Sequence, residues 1–112
     1  MEDVVLRCCS ALGLERKVVN AATELANKAR DLDRVYGRTP VSIAAACIFI
    51  ICQLGPQDER KTAKQVSDAA LVAEVTIRAA YNKIYPHLKG ILPEGYENSE
   101  RFKDLPVPQT ES

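Results

Sequence analysis

Between Val41 and Leu54 the chain reads VSIAAACIFIICQL, a run without a charged side chain. A helix that is apolar on all sides must be enclosed on all sides. The run therefore predicts a central helix surrounded by others, with small Ala residues allowing close approach. Its limits are marked locally. Thr39 can cap the start, and Pro40 fits the first helical position, where its missing N–H costs nothing. Gly55-Pro56 ends it. The apolar part is too short to cross a bilayer, so no membrane partner is expected.

The partners of that helix are visible as periodic segments, and strand signals are weak almost everywhere. Asp3–Leu12 places Val4, Val5, Cys8, Cys9 and Leu12 on one side, with Gly13 to stop it. From about Glu15 to Asp33, Val18, Ala22, Leu25, Ala26, Ala29 and Leu32 recur at helical spacing, and Tyr36-Gly37 breaks the pattern. After a charged loop, Gln57–Lys61, Thr62 is a second N-cap for a short helix, Ala63–Ala70, with Ala63, Val66, Ser67 and Ala70 inward. A turn at Leu71–Ala73 leads to a fifth helix over about Glu74–Tyr85. Ile77, Ala80, Tyr81, Ile84, Tyr85 and then Leu88 mark its core face, and Pro86 ends or kinks it. The expectation is an all-α fold of five helices. A domain at 1–90 precedes an irregular tail at 91–112, anchored in places by Ile91, Leu92, Tyr96, Phe102 and Leu105 and disordered at its end.

A chain of 112 residues fits one domain. No charged-then-apolar leader opens it, so secretion is not signalled, and the chain reads as a piece of something longer. Cys8 and Cys9 are adjacent, while Cys47 and Cys52 lie five apart, so neither a metal site nor a disulfide framework is indicated. They read as small buried hydrophobes. His87, the single histidine, reads as a helix-end residue. No nucleophile elbow, phosphate loop or HExxH helix is present. The chain is expected to be no enzyme, with no catalytic residues, no metal and no cofactor.

Fifteen basic and fifteen acidic residues cancel, but unevenly. Residues 61–89 hold Lys61, Lys64, Arg78, Lys83 and Lys89 against Asp68 and Glu74, a local net of +3. Residues 90–112 carry a net of −3. Indiscriminate polyanion binding is disfavoured, and a focused basic face is allowed.

Two helices joined by a short turn, the second amphipathic, form a candidate helix-turn-helix over about residues 62–88. The DNA major groove admits one helix, whose leading residues meet base edges. On the outward face of the fifth helix, Val75 can contact a thymine methyl or the apolar edge of a pyrimidine. Arg78 can grip guanine O6 and N7, and Thr76 can bond a phosphate. Lys61, Lys64 and Lys83 are placed for flanking phosphates. The same outline also occurs in helical domains that never touch DNA, where such residues form a solvated face.

The stretches GRTPVSIAAACIFIICQL and KTAKQVSDAALVAEVTIRAAYNKIYPHL resemble the transcription factor IIB family, in its second cyclin-like repeat, over about residues 4–106. GRTPVSIAAA at 37–46, VAEVTIRAAY at 72–81 and IYPHL at 84–88 are the most specific parts. The resemblance implies a cyclin-like fold whose helix-turn-helix reads the GC-rich B-recognition element upstream of the TATA box. Val75 and Arg78 then contact bases, and Thr76 is the Thr between them. It also implies a nuclear protein that acts on promoter DNA bent by TATA-binding protein, helps place the RNA polymerase II machinery and can meet transcriptional activators. The family's zinc ribbon, linkers and first repeat are not in this sequence. Two positions depart from the family. Leu71 replaces a Gly common at the turn and predicts a rearranged turn, because leucine tolerates positive φ poorly. Asn82 stands where a basic residue is frequent, which removes a phosphate contact. Two alternatives remain open: a cyclin-fold docking module for an activator or polymerase subunit, and the corresponding repeat of the related RNA polymerase III initiation factor.

Overall fold

The protein is described here by a computed structural model, which covers residues 2–32, 39–55, 60–93, 95–96 and 105. Its helices are α1 (Glu2–Leu12), α2 (Arg16–Arg30), α3 (Pro40–Leu54), α4 (Ala63–Ala70), α5 (Glu74–Ile84) and α6 (Leu88–Ile91), with a 3-10 turn at Tyr85–His87. The architecture is all-α among the described residues. The Tyr36-Gly37 break, the Gln57–Glu59 part of the charged loop, Phe102 and the chain end lie outside them.

α3 is the axis of the fold and packs against α1, α2, α4 and α5. Thr39 caps it as expected, its hydroxyl accepting from the Ser42 backbone N–H at 3.2 Å. Residues from Ser42 to Ile48 are all buried. Phe49 is only partly buried, and its ring meets Tyr81 of α5 edge-on, with centroids 5.8 Å apart. Gln53 is the polar exception near the end of the helix. Its Nε2 donates to the Lys61 carbonyl at 2.7 Å, which ties the foot of α3 to the entry of α4.

Two helix ends and one added helix differ from the sequence expectation. α2 stops at Arg30 rather than Asp33, because the Asp31 N–H turns back to the Lys28 and Ala29 carbonyls and closes the helix. α5 stops at Ile84 rather than Tyr85. Pro86 has no N–H to continue the ladder, so the chain tightens into a 3-10 turn. The chain then re-forms a short helix, α6, which runs through Gly90 to Ile91, one residue into the segment where the pattern predicts irregular structure. Leu92 and Leu105 are buried in the same core as α3, and Ile91 and Tyr96 pack against it.

All four cysteines are free and buried. Burial pushes the Cys9 thiol up to about 11 and raises those of Cys8 and Cys47. No helix among the described residues is long and apolar enough to cross a membrane.

Candidate nucleic-acid interface

α4 is a short helix fixed at both ends. At its start the Thr62 hydroxyl accepts from the Gln65 N–H at 3.1 Å, and the Gln65 side chain accepts from the Thr62 N–H at 2.9 Å. This reciprocal pair satisfies two donors that the first helical turn otherwise leaves open. At its end, Leu71 adopts φ 60° and ψ 42°. Leucine thus enters the left-handed region itself, and the expected rearrangement of the turn does not occur. That conformation costs a non-glycine residue about 1–2 kcal/mol.

Ser67 holds the turn against that strain. Its carbonyl accepts from the Leu71 N–H at 2.8 Å and from the Val72 N–H at 3.2 Å. Its hydroxyl donates to the Val72 carbonyl at 2.5 Å. One residue therefore makes three contacts across the turn, and Val72 and Ala73 lead directly into α5.

α5 turns its apolar stripe inward. Ile77, Ala80, Tyr81 and Ile84 are buried, and Tyr81 also meets the Tyr85 ring at 5.7 Å. Tyr81 and Tyr85 thus belong to the packed side and offer no stacking platform. Desolvation raises the Tyr81 hydroxyl pKa, as does the neighbouring Tyr85. At about 100° per residue, Val75 and Asn82 fall nearly opposite the buried stripe, with Arg78 on its flank. Val75 is 72% exposed.

The six residues marked in the sequence fall into three groups. Val75 and Arg78 share the outward side of α5. Thr76 and Lys83, seven residues apart, lie along a different line of the same helix; Thr76 is half-buried and Lys83 exposed. Lys61 and Lys64 belong to the entry and first turn of α4, where Lys61 is half-buried.

Two of the basic groups already have acidic neighbours. Arg78 Nη2 lies 3.7 Å from Glu74 Oε1, and Lys64 Nζ lies 3.9 Å from Asp68 Oδ2. Both are exposed i,i+4 pairs, worth a few tenths of a kcal/mol and open to exchange for a phosphate or a base. The Glu74–Arg78 spacing was legible in the sequence; the Ser67 contacts carried no sequence signal. His87 sits at the end of the 3-10 turn, with Nε2 enclosed and without a hydrogen-bond partner among the described residues. No cluster of His, Cys, Asp and Glu among the described residues can hold a metal ion.

The Transcription factor TFIIB repeat family matches residues 2–87. The chain is 44% identical to transcription initiation factor IIB-2 of Arabidopsis thaliana over 106 residues, which is 95% of this chain and 33% of that protein. It is 42% identical to transcription initiation factor IIB of Xenopus laevis and 41% identical to that of Homo sapiens. Each of those matches covers 93% of this chain and 32% of the relative. The chain therefore spans about a third of the length of the curated relatives it matches.

Proposed function

The chain belongs to the TFIIB repeat family, and from that premise we propose that it is the second cyclin-like repeat of an RNA polymerase II general initiation factor. It reads the B-recognition element of promoter DNA through α4, the turn and α5, in complex with TATA-binding protein, and it works in the nucleus. The observation that carries this reading is the outward side of α5. Val75 and Arg78 project from a helix whose opposite face is locked into the core, at the end of a turn held by Ser67. An apolar tip and a guanidinium one helical turn apart suit a pyrimidine edge and a guanine. Thr76, Lys61, Lys64 and Lys83 serve as backbone contacts, which set register without carrying base identity.

The test is binding of Arg78→Ala and Lys83→Ala to a GC-rich upstream element and to a scrambled duplex, with TATA-binding protein present. Arg78→Ala should cost about 1–3 kcal/mol on the element and flatten the preference at one base pair. Lys83→Ala should weaken both duplexes about equally. Equal losses on both duplexes for Arg78→Ala would reduce it to a backbone contact. No loss on either would favour the docking-module alternative, to which the zero net charge of the chain lends support.

A further inference from the structure

Among the described residues only three large apolar side chains are exposed: Leu6, Leu71 and Val75. Leu6 lies on α1, and the other two flank the turn that leads into α5. Leu71 is the most exposed of the three, at 89%. It is also the one non-glycine residue with positive φ among the described residues. Its position is thus unfavourable twice over. The backbone conformation suits glycine, and the side chain gains almost no burial within the chain.

Strain of this kind, found at an exposed position, is a reason to look for a contact outside the chain. The backbone that carries this side chain is held in place, because Ser67 ties the chain on both sides of the Leu71–Val72 peptide. With the backbone preset, only side-chain rotamer freedom is lost when the group meets a ligand. Its surroundings select the ligand. Residues 61–89 carry a net of +3, with Lys64 exposed at the start of α4, Arg78 exposed one helical turn into α5 and Lys83 exposed near its end. An apolar tip between helices that carry basic groups is complementary to the major groove, where the thymine 5-methyl group is the apolar feature between two phosphate strands.

We propose that Leu71 is a second apolar reading residue of this site, contacting a thymine 5-methyl group next to the base pairs taken by Val75 and Arg78. The inference rests on the DNA-reading function proposed above and adds a base preference specific to this chain. Leu71 lies three residues before the first residue of α5, so the thymine lies at the leading edge of the helix, beyond the Val75 contact.

The experiment uses the full chain with TATA-binding protein and duplexes carrying a GC-rich upstream element. Each thymine flanking the element is replaced in turn by deoxyuridine, which lacks only the methyl group. One replacement should lower wild-type affinity about 3- to 4-fold, the worth of one buried methyl group. Leu71→Gly should lose that sensitivity and bind the thymine duplex as weakly as the wild type binds its deoxyuridine counterpart. Its melting temperature should not fall, because glycine adopts the turn without strain. Leu71→Asn, which tolerates the left-handed region without glycine's extra freedom, should match Leu71→Gly in binding. Wild-type preference for the element over a scrambled duplex is measured first, and its absence would sink the DNA-reading function itself. With that preference present, equal binding to every deoxyuridine duplex would overturn the Leu71 contact alone. So would a Leu71→Gly variant that still distinguishes thymine from deoxyuridine.

Discussion

Ser67 shows how one small side chain can decide the aim of a helix. Its hydroxyl and carbonyl fix the two residues after α4, and α5 begins immediately beyond them. Ser67→Ala removes the hydroxyl contact and keeps the carbonyl contacts. The expected cost is about 0.5–1.5 kcal/mol of unfolding free energy. Hydrogen exchange at the Leu71 and Val72 amides should also quicken. Unchanged exchange at both amides would mean that the carbonyl alone holds the turn. A second residue-scale effect comes from the buried thiols. Cys9 is shifted upward, first by desolvation and then by its neighbour Cys8. The folded state therefore favours the protonated thiol. Its contribution to stability is complete below the ordinary thiol value of 9.0 and is lost as pH rises through about 11. Cys8, Cys47 and Tyr81 are shifted in the same direction and add to the loss. The melting temperature should decline from pH 9 toward 11, and Cys9→Ala should make the decline shallower. A melting temperature that rises across this range would contradict the assignment.

At the scale of elements, α3 should dominate stability because it has no exposed apolar side to lose. Ile48 is fully buried at its centre. Ile48→Ala should cost about 2–5 kcal/mol, the range for a closed site that cannot collapse around the cavity. Thermal or denaturant unfolding measures this, and an unchanged midpoint would mean that α3 is not the axis of the fold. The same element shows why parts of the fold are readable from sequence. α3 and α4 begin where expected because Thr39 with Pro40, and Thr62 with Gln65, encode their starts in three or four neighbouring residues. The buried stripe of α5 was likewise readable, and with it the outward direction of Val75. The end of α2 and the existence of α6 were not, since they depend on backbone closure and on core contacts made by Leu88 and Leu92. The turn was misread for a related reason. Local propensity argues against leucine at positive φ, but propensity omits the contacts that Ser67 makes across the turn.

At the scale of the whole molecule, charge distribution sets how the proposed DNA binding behaves. The chain is neutral, so no long-range field favours DNA over water. Attraction must come from the +3 of residues 61–89, and the −3 of residues 90–112 opposes it. Two of the useful cations, Lys64 and Arg78, must also exchange their acidic neighbours for DNA. Three or four phosphate contacts release as many condensed counterions. The slope of log affinity against log salt is then about −3 to −4. Raising salt from about 50 to about 200 mM should cost roughly two orders of magnitude in affinity. Binding by the isolated chain, about a third of the length of its relatives, should therefore be weak and lost at moderate salt. Lys83→Ala should reduce the slope by about one, because it removes one phosphate contact. A salt titration of wild type and Lys83→Ala on the GC-rich element decides the matter. Affinity that does not change with salt would require an interface made without phosphates, and that is the behaviour expected of a protein-docking surface.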